Sequence, residues 1–392
     1  MRNIKDYGAI GDGITLNTQA IQRAIDDGGM VYIPTGVYKT GTLYLKSNGG
    51  LHLEAGAVLL ASHDYNDYNE WDFCQQNWKS DEENANGKHL IVAVEQENVF
   101  IEGQGTIKGE GHFWINEKMT RPGWPDPKNI DYDINEKNVR PSQMLFICEC
   151  KNVKVSGVTL LDAPYWHLFL YGCEDVVVNG LTIKGDRPRW TNDGIDIDAC
   201  SGVTVSDCVI DVGDDGITLR AAGYNFKHRP NICERVTISN CVIHSHRDNA
   251  IRIGVGDGLI RNCTLTCLDL EAPNLAGFEI SCRWSGSTPA ITSIENIICS
   301  DIHIRARKAF NLISAFGRAK VTKECFIRRI VFKNIMLSQS EISQIRARKD
   351  APIENVIFKD IYAYTNELPD ENCDIFDIEG SDSVIVENLR KI

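Results

Sequence analysis

The fold class predicted for this 392-residue chain is all-β: a parallel β-helix, a solenoid of stacked coils, capped near its N-terminus by a short helix. Three observations predict it. A strand-length motif of alternating apolar residues recurs along the chain, its corners carry Gly, Asn and Asp, and no helical period separates one copy from the next. The motif reads Val99-Phe-Ile-Glu-Gly103, Val153-Lys-Val-Ser-Gly157, Val176-Val-Val-Asn-Gly180, Val203-Thr-Val-Ser-Asp207 and Val236-Thr-Ile-Ser-Asn240. It continues less regularly through Ile260-Arg-Asn262, Ile297-Ile-Cys-Ser-Asp301, Ile330-Val-Phe-Lys-Asn334 and Val356-Ile-Phe-Lys-Asp360. From Val153 the first spacings are 23, 27 and 33 residues, so loops of unequal length leave the coil.

The elements follow in order. Residues 17–28 read as an amphipathic helix with Asn17 or Thr18 as N-cap, Ile21, Ala24 and Ile25 on one face and Gly28 at its end. An uncovered solenoid end exposes unpaired strand edges, and this helix is expected to cover one. Two stretches, 62–88 and 109–140, break the repeat. They are too polar for core yet hold Tyr65, Tyr68, Trp71, Phe73 and Trp78, and Phe113, Trp114 and Trp124. Their aromatics either wall a carbohydrate cleft or pin long loops to the coil. Because each coil packs only on its neighbours, 43% hydrophobic residues suffice for one continuous core, and a single β-helix domain over 1–392 is expected.

The charge balance, 41 basic against 54 acidic residues and −13 net, argues against nucleic acid as a partner. No run approaches the ~18 apolar residues of a membrane span, and Met1-Arg-Asn-Ile-Lys-Asp-Tyr7 contains no apolar signal region, so a cytoplasmic chain is expected. Many of the 14 cysteines, among them Cys208, Cys241, Cys263 and Cys299, sit inside apolar strand patterns. They are expected as buried free thiols, with no metal site and no cofactor.

Two acidic segments carry the chemistry: Thr191-Asn-Asp-Gly-Ile-Asp-Ile-Asp198 and Gly213-Asp-Asp-Gly-Ile-Thr-Leu219. Asp193 and the Asp214-Asp215 pair fall at equivalent points of consecutive repeats, and neighbouring coils lie about 4.8 Å apart. Carboxylates that close resist ionising together, which keeps one proton available as an acid. Asp196 and Asp198 share the opposite face from Asp193 and are expected to be exposed or stacked along the coil. Downstream, His246, Asn249, Arg252, Glu279 and Arg283 are candidate contacts to a sugar. Arg252 lies between Ile251 and Ile253, and Glu279 between Phe278 and Ile280, so both face outward. Arg220, Lys227, His228 and Arg229 form a basic patch, and Trp166 and Trp190 are either stacking platforms or packing residues.

These residues resemble the polygalacturonase-type glycoside hydrolases of family 28, within the pectinase-like right-handed β-helices. The resemblance runs from Asp6-Tyr-Gly-Ala-Ile-Gly-Asp-Gly13 and Asn17-Thr-Gln-Ala-Ile-Gln22 through Arg140-Pro141 and Ala163-Pro-Tyr-Trp-His167 to Asp193-Gly194 and Gly213-Asp-Asp215. It implies a right-handed helix and hydrolysis of a glycosidic bond in a pectin-type or related oligosaccharide or polysaccharide, with inversion. It implies Asp214 as general acid and Asp193 and Asp215 as the residues holding the attacking water. An exo-acting enzyme is expected. Two motifs depart from the family. Asn249, in Arg247-Asp-Asn-Ala-Ile-Arg-Ile-Gly254, stands where a Gly-His-Gly histidine is usual, and Glu279-Ile-Ser281 replaces an Arg-Ile-Lys associated with gripping an acidic sugar. The alternatives are a β-helix lyase or epimerase, disfavoured by Ser281 in place of lysine, and a non-catalytic carbohydrate-binding solenoid.

Overall fold

The computed structural model describes residues 1–77, 85–119, 131–134, 140–185, 191–223, 225–282, 291–315, 321, 323–364 and 373–392. The chain folds as a right-handed parallel β-helix. Its residues group into two compact units. The first comprises Met1–Asp196, Asp211–Gly213 and Tyr224–His228; the second comprises Ile197–Ile210, Asp214–Gly223 and Arg229–Ile392.

In the first unit three parallel stacks run side by side. One pairs Met30–Ile33, Gly49–Leu53, Glu97–Gly103, Lys151–Ser156 and Glu174–Asn179; a second pairs Gly36–Thr40, Ala57–Ala61, Thr106–Lys108, Thr159–Leu161 and Thr182–Lys184. The third pairs Leu43–Tyr44, Ile91–Val94, Leu145–Cys148 and Leu168–Tyr171. The expected repeat register holds: Val153 pairs with Val99 on one side and with Val176 on the other. Period-two alternation sends Val153, Val155, Val176 and Val178 into the core while Lys154 and Val177 face solvent.

In the second unit Ser201–Ser206, Ile232–Ser245, Leu259–Ser281, Ser293–Ile313, Ile327–Gln339, Ile353–Tyr364 and Val384–Lys391 stack in parallel. Beside them run Ile217–Ala221, Ile251–Gly256, the later halves of Leu259–Ser281 and Ser293–Ile313, Ser343–Arg346 and Phe376–Glu379. Inside, Phe278, Phe310, Phe332 and Phe358 form a buried aromatic column, with Phe332 and Phe358 stacked at 5.0 Å. One repeat is shifted from expectation. Cys263, not Ile260, pairs with Ile297, and the corner falls at Cys267, whose φ of 53° matches those of Asp301, Asn334 and Asp360. A cysteine at a left-handed corner, where Asn or Asp is usual, hid the motif.

Side-chain ladders mark the corners, with Asn334 Nδ2 donating to Asp301 Oδ1 (2.7 Å) and Asn388 Nδ2 to Asp360 Oδ1 (2.6 Å). All 14 cysteines are free, and eleven are buried, including the four singled out from the sequence; Cys267 is exposed. The N-terminal helix spans Thr18–Asp26 and buries Ala20, Ile21, Ala24 and Ile25. Asn17 occupies the N-cap position without capping. Its side chain instead bridges Ile10 N, Ile10 O and Thr15 O, which ties the preceding loop to the helix. Among the described residues no helix is long and apolar enough to cross a membrane.

Of the two interrupting stretches, 109–140 contains a helical turn, Gly111–Trp114, and an antiparallel ribbon of Ile115–Met119 with Asp131–Ile134. The described aromatics mostly pin. Tyr68 and Trp114 are buried edge to face, and Phe73 packs on Tyr44, His89 and Phe146, while Trp71 and Phe113 stay half exposed. Trp78 and Trp124 lie outside the described residues.

Candidate active site

In the first unit the Asp193 segment is held by its backbone. His167 N donates to Asp193 O at 2.9 Å, and His167 Nδ1 lies 2.8 Å from the same oxygen. Arg140 Nη1 donates to Thr191 Oγ1 and to Pro164 O, both at 2.7 Å, with its guanidinium over the Tyr165 ring. Asn192 Oδ1 accepts from Gly213 N at 2.9 Å, so the residue before Asp193 is bonded to the residue before Asp214. Asp193 itself is buried.

In the second unit the Asp214-Asp215 turn is followed by Gly216, where a Cβ would lie 2.5 Å from Ala250 O; only glycine lets the next coil approach this closely. Asp215 is buried, and three donors meet its two oxygens. Asn249 N (3.1 Å) and Asn249 Nδ2 (2.8 Å) reach Oδ1, and Arg252 Nη1 (3.3 Å) reaches Oδ2. Asp214 Oδ1 accepts from Asp215 N at 3.0 Å. Ser245 Oγ donates to Asp214 O (2.7 Å) and accepts from Asp248 N (3.1 Å), which locks the acidic turn onto the following coil.

The electrostatics are those of crowded acids out of water. Burial raises the Asp248 carboxyl well above its ordinary range, and the charges of Asp215 and Asp214 push the same way. Burial likewise raises Glu279, against the pull of Arg252 and of a hydrogen bond from Asn311 Nδ2. The guanidinium of Arg252, although largely withdrawn from water, is pushed up by Asp215, Asp248 and Glu279.

The residues singled out from the sequence fall into distinct groups. Asn249 and Arg252 meet on Asp215, and Glu279 is the cross-strand partner of Arg252. Arg252 and Glu279 face outward as expected, yet Glu279 is buried by its neighbours and the Arg252 side chain is only 13% exposed. His246 is half-buried, its ring 3.8 Å from that of His244 and its carbonyl bonded by Asn274 Nδ2. Four expectations are corrected. Trp166 is no stacking platform: it is 3% exposed, sealed against Tyr165 and Phe169 in an aromatic cluster. Asp196 and Asp198 are buried rather than exposed; Asp198 faces Arg220 at 3.5 Å and accepts from Ala222 N. The basic patch does not exist as one surface, because Arg220 is buried against Asp198 whereas Lys227 and His228 are spent on Glu95 and Glu149. Asn249 is 1% exposed and positions Asp215 rather than offering an open hydroxyl-binding surface. Arg229 is half-buried at the start of the segment after that loop. Arg283 and Trp190 lie outside the described residues.

Sequence reasoning missed Asn311 and Gln344. Both continue the outward line of Glu279, partner by partner, and Asn311 lies between inward Phe310 and Leu312 by the same alternation that singled out Glu279. Arg140 and Asn192 were missed as supports because nothing in their sequence neighbourhood names a partner 20 or more residues away.

The profile of Glycosyl hydrolases family 28 matches residues 32–234, just over half of the chain, and residues 1–48 match a rhamnogalacturonase A/epimerase, pectate lyase-like profile. A probable polygalacturonase of Vitis vinifera is 28% identical over 85% of this chain and 61% of its own length. An exo-poly-alpha-D-galacturonosidase of Dickeya chrysanthemi is 28% identical over 66% of this chain and 48% of its own length. The chain thus spans about half to three-fifths of the curated relatives it matches. In three dimensions it is similar to a hyperthermoactive exopolygalacturonase from Thermotoga maritima, with a TM-score of 0.75 and 20% identity over 98% of this chain and 91% of that one. A polygalacturonase from Erwinia carotovora gives 0.70 and 18% over 95% and 96%. On the profile match, the chain belongs to glycosyl hydrolases family 28.

Proposed function

We propose that the chain is an O-glycoside hydrolase that cleaves pectin-type or related oligosaccharides from the chain end, with inversion. The observation that carries this reading is Asp215: a buried carboxylate oriented by three donors and charge-matched by Arg252, directly after Asp214 in a turn locked to the next coil. Hydrolysis needs one carboxyl to protonate the leaving oxygen and carboxylates to direct water at the anomeric carbon. Asp214, the less buried of the pair, acts as general acid. Asp215 and Asp193 orient the water. Family membership and the similarity to exo-acting relatives support the reaction class and the mode of attack.

The test is incubation with a panel of uronate, rhamnose, galactose and fructose oligosaccharides, following product and anomer by NMR. A monosaccharide released with inverted configuration is expected. Retention in the first product overturns the inverting mechanism. Ultraviolet absorbance from an unsaturated product identifies a lyase instead, and release from no member identifies a binding solenoid.

A further inference from the structure

The outward face beside Asp215 is a register-matched column: Thr218, Arg252, Glu279, Asn311 and Gln344 lie one per coil, each partnered with the next. Their strand neighbours Ile217, Leu219, Ile251, Ile253, Phe278, Ile280, Phe310 and Leu312 are all fully buried, which fixes the column's direction. Its chemistry is that of hydroxyl recognition. The column presents a carboxyl and two amides, and its one cation, Arg252, is paired to Asp215. Two buried acceptors, Thr218 Oγ1 and Asn249 Oδ1, have no hydrogen-bond partner among the described residues. Both residues are 1% exposed, so these atoms lie beneath the column's surface rather than on it. Around the turn, Asp215, Asp248 and Glu279 act on the single guanidinium of Arg252, and Asp214 adds its charge at Asp248. Of the cations near the column's edge, Lys308 donates to Gln344 Oε1 and lies 3.8 Å from Glu341, and Arg346 is paired with Asp377 and Glu379.

The geometry points to a neutral sugar as the residue that this column takes: a hexose or deoxyhexose whose hydroxyls bond Glu279 and Asn311, not a uronate. Glu279 offers a uronate carboxylate no cation whether it is ionised or protonated, and in its ionised form it repels one. Binding specificity of this kind follows from the polar groups a site leaves unpaired with the wrong sugar. The inference rests on the glycosidase reading for its place in catalysis, but not for the preference itself.

The experiment compares pectin-derived oligosaccharides with the same molecules after chemical reduction of their carboxylates to primary alcohols. Both kcat/KM and equilibrium binding are measured for the wild-type chain and for Glu279→Gln and Glu279→Arg. The neutral form is expected to be favoured by roughly 100-fold, since a juxtaposed like charge costs several kcal/mol. In Glu279→Gln, which keeps the acceptor for Asn311, the ratio narrows about tenfold, and in Glu279→Arg it reverses. If Glu279→Arg does not fold, Glu279→Gln decides. A wild-type preference for the uronate, equal treatment of both, or binding of neither overturns the inference. Preferred binding of the neutral form without turnover of any substrate sinks the hydrolase reading and leaves this inference standing.

Discussion

The turn carrying Asp214 and Asp215 and the strand column carrying Arg252 and Glu279 touch through one ion pair, yet they are built by different rules. The turn is fixed by backbone: a glycine that only a close approach explains, a serine that bonds a main-chain oxygen, and an asparagine that bonds a carboxylate from its own N–H. The column is fixed by period-two alternation over an apolar interior, which constrains the inward residues tightly and the outward ones hardly at all. One consequence of the proposed reading is a division of labour: it puts the chemistry in the turn, where few residue types fit, and the choice of sugar in the column, where outward side chains are less constrained by the fold.

The sharpest break between the two comes from Asp215→Asn, which is expected to lower kcat by about 10³-fold on every substrate cleaved, because general acid–base groups contribute 10²–10⁴-fold, and to lose stability as well, because it leaves the Arg252 guanidinium without its carboxylate. A loss confined to one sugar would place Asp215 with the column instead. Next in size, Arg252→Met keeps the packing stem but strips Asp215 of its cation. Removing one partner of a buried pair is expected to cost about 3 kcal/mol by denaturant unfolding. Its effect on turnover should be alike for charged and neutral sugars, and a selective effect would move Arg252 from support of the turn to recognition.

A smaller effect concerns pH. The Asp248 carboxyl is raised above its ordinary value of 3.8 by burial and by Asp215 and Asp214, so above about that pH the folded state holds more protons than the unfolded one. Stability contributed by this group is full below pH 3.8 and is lost as pH rises through the raised value. Thermal melts from pH 3.5 upward should therefore decline less steeply in Asp248→Asn than in the wild type; parallel slopes would contradict the assignment. Smallest, Asn334→Ala at a left-handed corner loses the bond to Asp301 and is expected to cost about 1 kcal/mol, with no effect on catalysis.

How much was legible in the sequence follows the same division. Val99, Val153 and Val176 could be aligned by eye because inward positions repeat, and the acidic turns were visible because Gly, Asn and Asp mark corners. The coil at Cys263 was misplaced because its corner residue is a cysteine in a conformation usually given to Asn or Gly. Orientation was legible at Arg252 and Glu279, but burial was not: alternation says which way a side chain points, not what the neighbouring coils place over it. The same limit explains Asp196 and Asp198, outward by pattern yet buried, and Lys227 and His228, whose carboxylate partners Glu95 and Glu149 are 78 to 133 residues away in the chain. Trp166 was ambiguous for a simpler reason, since a tryptophan among Tyr165 and Phe169 suits a core as well as a sugar.

The most direct test of the account sets Asp215→Asn and Glu279→Gln side by side on one matched pair of oligosaccharides, carboxylated and carboxyl-reduced. Asp215→Asn is expected to lower kcat/KM on both by the same factor, and Glu279→Gln to shift their ratio about tenfold. A ratio moved by Asp215→Asn and untouched by Glu279→Gln would contradict it.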